Sequence, residues 1–293
     1  MDPKEPIVGS VAIAAVSEAL GIPVPTIRSW ERRYGFPTPA RTRGKHRRYT
    51  SAEVEQLRAL RDAITQGFAA RDAVAMVRRG RIVGATQRSE VYGLIKTATD
   101  LDPSAARTVL DQATETLGPE VAATEIALPA LQEVGSRWKV GMCDIATEHL
   151  MTDAVRAWIA RLATLVPPPS RRWPIVLSCG PKELHSVGLE AFGMILTRRG
   201  WSVLRLGALT PVDTLVSSVT QIRAPAAVVV AQRSVNRGST IEAIEAIDRI
   251  LGVRAFFAGG AFASPASRRG VPGEYLGTDL LAAADVIDST VAG

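Results

Sequence analysis

Apolar residues recur along this chain with two rhythms. From residue 10 to 165 they fall three and four apart, the period of amphipathic helices; from 175 onward short apolar runs alternate with such helices. Val11, Ile13, Ala14, Ala15, Val16, Ala19 and Leu20 predict a first helix ended by Gly21, and Pro25 suits the first position of the next. In that second helix, Thr26 to Tyr34, Ile27 and Trp30 share a core-facing side, which leaves Arg28, Arg32 and Arg33 on other faces. Ser51-Ala52-Glu53 opens a further helix carried by Val54, Leu57, Leu60 and Ile64. Between 90 and 165, stripes at Leu94-Ile95-Ala98-Leu101 and Ala106-Val109-Leu110-Ala113 precede two longer helices, Val121 to Trp138 and Thr147 to Leu165. Pro103, Gly118-Pro119 and Gly141 punctuate them, and Asp144 caps the last; the sum is a small antiparallel four-helix bundle.

A stiff linker, Val166 to Pro174, follows. Beyond it the pattern predicts strands at 175–178, 202–206, 226–231, 254–258 and 274–276, and helices at 185–199, 211–223, 239–251 and 278–291. Apolar strands separated by amphipathic helices make a parallel, doubly wound sheet. The expected architecture is therefore multidomain, α and α/β: a helical head over 1–85, a helical bundle over 90–166 and an α/β domain over 174–293.

Charge sharpens the first boundary. Residues 1–85 hold 15 Lys/Arg against 8 Asp/Glu, a net +7 in a chain whose total is +6. A basic head on a near-neutral body points to a polyanion partner. Cys143 and Cys179 show no C-x-x-C spacing, so neither a disulfide framework nor a cysteine zinc site is expected. No apolar run is long enough to span a bilayer, and the N-terminus lacks a signal-peptide layout, so the cytoplasm is the expected compartment.

Two regions carry candidate chemistry. In the head, the short helices read as a helix-turn-helix, and the basic stretch Arg41 to Tyr49, turning at Gly44, reads as a hairpin wing able to clamp phosphates. In the α/β domain, ligands are expected outside the carboxyl ends of the strands. There fall Glu183-Leu184-His185 with Gly188, Gln232-Arg233-Ser234, and Gly259-Gly260. A histidine on a strand-to-helix loop can present a ring nitrogen to a metal, and the glycines would let a large flat ligand approach the backbone. Upstream of His185 stands a third group, Trp138 followed after nine residues by Glu148-His149. Taken alone, Trp138 reads as core, Glu148 as a first-turn carboxylate, and His46 as a support for the wing.

Trp30-Glu31-Arg32-Arg33-Tyr34-Gly35-Phe36-Pro37, Arg41, Gly44 and His46-Arg47-Arg48-Tyr49 resemble the winged helix-turn-helix of MerR-family transcription regulators. The resemblance implies dimers on a distorted promoter, with Arg28, Arg32, Arg33, Tyr34, Arg47 and Arg48 contacting double-stranded DNA. Glu183-x-His185-x-x-Gly188, Ser234 and Gly259-Gly260 resemble the cobalamin-binding domain of the methionine synthase and mutase type, in which Glu183 stands where an aspartate is usual. This implies His185 as the lower cobalt ligand, with Glu183 bonding its other nitrogen. The order of parts is similar to the B12-dependent photoreceptor repressors of the CarH/LitR group and their light-independent relative CarA. It implies a non-enzymatic regulator in which Trp138, Glu148 and His149 cover the upper face of adenosylcobalamin and the cofactor gates a dimer or tetramer. Photoreceptor members place a histidine directly after the cap tryptophan; here that residue is Lys139, a poor cobalt ligand when protonated. Three alternatives stay open on the residues alone: a regulator sensing another tetrapyrrole, one using the domain for protein contacts only, and a corrinoid methyl carrier.

Overall fold

The computed structural model describes residues 11–41, 47–65, 70–78, 85–139, 143–170 and 173–291. It forms two compact units, Met1–Ser89 and Glu90–Gly293.

The first unit contains β1 (Val11–Ala12), α1 (Ile13–Leu20), α2 (Val24–Tyr34), β2 (Ala40–Arg41), β3 (Arg47–Tyr49), α3 (Ser51–Thr65) and α4 (Ala70–Arg78). Val11 and Ala12 depart from the helix their apolarity predicts. They pair antiparallel with β3, Val11 opposite Tyr49, and helix begins at Ile13. β2 completes the small sheet on the other side of β3, which builds the expected wing. Its tip, with Gly44 and His46, lies outside the described residues. Gly21 ends α1 at φ 64°, a conformation that favours glycine, and Arg61 of α3 donates to the carbonyl of Leu20, 2.7 Å away. α3 starts on a reciprocal cap: Thr50 N–H donates to Glu53, and Glu53 N–H donates back to the Thr50 hydroxyl. Val16, Leu20, Ile27, Trp30, Tyr49, Leu57 and Leu60 close one core, so Ile27 and Trp30 face inward as their spacing requires.

Next come α5 (Ala85–Thr99), most of which belongs to the second unit, and then α6 (Pro103–Leu117), α7 (Pro119–Ala122), a π-helical segment (Ala123–Ala127), α8 (Leu128–Lys139) and α9 (Ile145–Thr164). Asp102 caps α6 through Ala105 N–H, and Asp144 caps α9 through Thr147 N–H. α7, the π segment and α8 run on from one another, so these are the four predicted rods. The π turn, over Ala123-Thr124-Glu125-Ile126-Ala127, is new.

The sheet follows: β4 (Ile175–Cys179), β5 (Val203–Gly207), β6 (Ala226–Val230), β7 (Arg254–Ala258) and β8 (Glu274–Tyr275), in the order β5-β4-β6-β7-β8 and parallel throughout. β4 and β6 are buried along their whole length, as central strands covered on both faces must be. Alternate residues divide between two cores. Ile175, Leu177 and Cys179 meet α10 (Val187–Arg198), α13 (Leu280–Val291) and the bundle, whose core is continuous with that face. Val176, Ala227, Val229 and Phe257 meet α11 (Val212–Gln221) and α12 (Arg237–Asp248). Strand order reverses at β4, so the crevice between β4 and β6 is the switch point where such sheets take ligands.

Candidate functional site

The loop from β4 to α10 is fastened across that crevice. Gly180 N–H donates to Val230 O at 2.9 Å, and Leu209 N–H, beyond β5, donates to Glu183 O at 3.0 Å. Glu183 has no solvent-exposed surface. Its Oε1 accepts His185 N–H at 2.9 Å and lies 2.5 Å from His185 Nδ1. Its Oε2 accepts from Gln232 N–H at 2.8 Å, Arg233 N–H at 3.1 Å and Asn236 Nδ2 at 3.0 Å. Burial by itself pushes this carboxyl upward, but the bonds from His185, Asn236 and Arg233 outweigh it and bring the pKa to about 2. Glu183 is thus a carboxylate at neutral pH, so Nδ1 faces it as donor. This leaves Nε2 outside that bond, on an imidazole that is 57% exposed. Leu184, Leu209 and Val235 add exposed apolar surface at this end of the sheet.

The other predicted residues of this domain sit on the same rim. Gly188 lies in the first turn of α10 with open space at its missing side chain; the nearest atom to a Cβ would be Gln232 Nε2 at 4.0 Å. Ser234 is exposed at the start of a 3-10 turn and makes no hydrogen bond to Glu183 among the described residues; Asn236 occupies that position. Gly259, at φ 104°, is held 2.2 Å, as a Cβ would measure it, from Ala231 O. Gly260 N–H bonds Gln232 Oε1 at 3.1 Å, and its Cβ would meet Gln232 O at 3.0 Å. In this conformation the space that the glycine pair frees is filled by neighbouring backbone and not left open to a ligand.

In the bundle, Trp138 stands half-exposed near the end of α8, and Lys139 is the last residue of that helix. Glu148 and His149 lie in the first turns of α9, with His149 Nε2 3.6 Å from Glu148 Oε2 and Thr152 donating to Glu148 Oε1 at 3.0 Å. The capping of α9 by Asp144 fixes where these turns begin. Glu148, Thr152 and Arg156 recur every four residues on one face, and Arg156 bonds Ser186, the residue after His185. No hydrogen bond or ion pair joins Trp138, Glu148 or His149 to His185 among the described residues. A cavity of about 300 Å³ opens at this end of the bundle, lined by Ile95, Thr99, Val134, Arg137, Cys143, Asp144 and Thr147.

In the head, Arg28, Arg32, Arg33 and Arg48 are exposed, whereas Tyr34 packs partly against the core. Arg47 turns to Glu31, Nε to Oε2 at 2.5 Å, and the buried Tyr49 hydroxyl donates to the other oxygen of Glu31. Desolvation and that bond hold the Tyr49 phenol well above its ordinary pKa. Glu31 therefore ties the wing to α2.

The MerR HTH family regulatory protein model matches residues 11–79, and the B12 binding domain model matches residues 93–163. The HTH-type transcriptional repressor CarH of Myxococcus xanthus is 32% identical over 225 residues, covering 72% of this chain and 75% of CarH. The HTH-type transcriptional repressor CarA of the same organism is 30% identical over 220 residues, 73% of this chain and 74% of CarA. The chain belongs to this family of MerR-type regulators with a B12-binding domain. Its second unit shares the fold of the Methanosarcina barkeri monomethylamine corrinoid protein, with a TM-score of 0.57 and 11% identity over 70% of this chain and all of that one.

For a regulator of this family, the residues missed by sequence reading are those that act through others. Asn236 and Arg156 carry no motif of their own; a polar side chain buried soon after an apolar strand was the only signal for Asn236. Cys179, beneath His185, is a buried thiol pushed up to about 12, chiefly by desolvation and then by the Glu183 charge, which makes it inert as a nucleophile.

Proposed function

We propose that this protein is a cytoplasmic transcriptional repressor that holds cobalamin, in its adenosyl form, between the α/β domain and the helical cap, and that the cofactor gates homo-oligomer assembly on promoter DNA. The Glu183–His185 pair carries the reading. Among the described residues no three His, Cys, Asp or Glu side chains gather around a metal position. One oriented imidazole cannot hold a bare ion, but it suffices for a metal whose remaining ligands come from a macrocycle. The exposed Leu184, Leu209 and Val235 and the open space at Gly188 fit a broad, largely apolar ring against this rim.

In this reading His185 Nε2 is the lower ligand and Glu183 keeps the ring in the required tautomer. Trp138, Glu148 and His149 cover the upper face. Ser234, Gly259 and Gly260 take the nucleotide tail, which requires the loops after β6 and β7 to part. Bound adenosylcobalamin supplies a light-sensitive cobalt–carbon bond. In the head, Arg28, Arg32, Arg33 and Arg48 meet the DNA, with Tyr34 and Arg47 at the edge of the contact. A multimer engages several half-sites and gains avidity that a lone protomer lacks.

The test is absorption spectroscopy and gel filtration of the full chain with adenosylcobalamin, in darkness and after green light. The expected dark result is a retained base-on cofactor and a larger assembly. His185→Ala is expected to convert the spectrum to base-off; an unaltered spectrum removes His185 as ligand. Failure to retain the cofactor overturns the cobalamin reading. Because Lys139 replaces the histidine of photoreceptor relatives, no bis-histidine photoproduct through that position is expected after illumination.

A further inference from the structure

Ser186 is the N-cap residue of α10, yet its hydroxyl makes no capping bond. That is unusual for serine, whose oxygen ordinarily takes a free N–H of the first turn. The hydroxyl is engaged elsewhere. Arg156 Nη2 of α9 donates to Ser186 Oγ at 2.8 Å, and Ser186 Oγ donates to Glu190 Oε1 at 2.7 Å. Arg156 Nε lies 3.2 Å from the same Glu190 oxygen. The three contacts close a triangle. Ser186 itself is buried.

This triangle begins one residue after His185. On the other side, the His185 N–H is held by Glu183, and its carbonyl receives the Cys179 thiol at 3.9 Å. The histidine backbone is therefore clamped from the sheet by Glu183 and from the cap by Arg156. Arg156 shares its helix face with Glu148, two turns or about 12 Å further along α9. One rigid helix thus joins the loop of the lower nitrogen to the residues assigned to the upper face.

We infer that Arg156 is a positioning residue for His185: the cap sets the lower-ligand loop through Arg156, Ser186 and Glu190, so the metal-facing histidine of the α/β domain is complete only with the cap docked. The inference rests on the cobalamin reading for its spectroscopic consequence, but not for the clamp itself.

Two arms test it, both on the full chain. In the first, hydroxocobalamin is bound in the dark to wild type, Arg156→Ala, Arg156→Lys and Arg156→Ala/Glu190→Gln. Arg156→Ala is expected to raise the base-off fraction and shorten cofactor retention by about fivefold, the scale of a partly exposed ion pair. Lysine is expected to restore most of it, and the double variant to be no worse than the single. Wild-type spectrum and retention in Arg156→Ala overturn the inference. Should that variant fail to fold, Ser186→Ala replaces it with the same expectation and the same overturning result. The second arm needs no cofactor: amide hydrogen exchange over residues 184–190 is expected to quicken about fivefold in Arg156→Ala. Unchanged exchange overturns the clamp. Faster exchange in a protein that retains no cobalamin upholds the clamp and overturns only the cobalamin reading.

Discussion

Glu183 receives five hydrogen-bond contacts on two oxygens and meets no solvent. Such a site tolerates a carboxylate and little else. Glu183→Gln keeps the shape but turns one end into a donor facing donors, so the expected loss is about 3 kcal/mol, read by urea unfolding of the full chain at pH 7. The acid limb offers an independent check. With the folded pKa at about 2, below the ordinary 4.5, the stabilisation is complete above the ordinary value. It disappears as pH falls from there toward 2, by about 3 kcal/mol in all. The glutamine variant is expected to lose that steep limb, and a limb identical to wild type would show that the charge contributes nothing. The Glu-x-His spacing was visible in the sequence, and the family resemblance implied a bond from Glu183 to a ring nitrogen; the structure shows that nitrogen to be Nδ1. Asn236 was not, because its partner lies 53 positions away and only the folded crevice brings them together.

At the level of elements, the hydrophobic pattern was an accurate guide wherever burial decides the winding. The central strands were foreseen to within a residue or two because a strand buried on both faces leaves an apolar run and nothing else. Val11 and Ala12 were misread because an apolar pair next to a helix fits a short edge strand equally well; Tyr49, distant in sequence, decides it. Caps were legible: Asp144 was expected to start α9, and it bonds both the N–H and the hydroxyl of Thr147. Those bonds hold its carboxyl below the ordinary value. The cap's charge contribution is therefore complete above the ordinary value and is lost as pH falls from there through the lowered one. Asp144→Ala is expected to lower the melting temperature and loosen the first turn of α9, which carries Glu148. Asp144→Asn is expected to retain most of the cap at neutral pH without the acid sensitivity. Parallel melting curves at pH 7 and pH 3.5 check both, and an alanine variant as stable as wild type would remove Asp144 as the determinant of this turn.

For the molecule as a whole, charge separates the work of the two units. Residues 1–85 carry +7 and the rest of the chain −1, so the salt dependence of DNA binding should arise in the head alone. Its arginines do not have equal parts to play. Arg32 and Arg48 are exposed, and each is expected on alanine substitution to weaken binding and reduce the log–log salt slope by about 1, with little effect on folding. Arg47 lies one position from Arg48 but points to Glu31, which also accepts from the buried Tyr49. Removing its guanidinium leaves a largely buried carboxylate short of its cation. Arg47→Ala is therefore expected to destabilise the wing and to weaken DNA binding at every salt concentration, with a smaller change of slope than Arg48→Ala. Titrations of operator DNA across a range of salt, set beside thermal melts of the same variants, separate the two effects. Equal slopes and equal melts for Arg47→Ala and Arg48→Ala would mean that the Glu31 pair does not persist in solution. Repeated with adenosylcobalamin in the dark, the wild-type slope should steepen, because an assembly that seats several heads releases counterions at every one; an unchanged slope would separate cofactor binding from assembly on DNA.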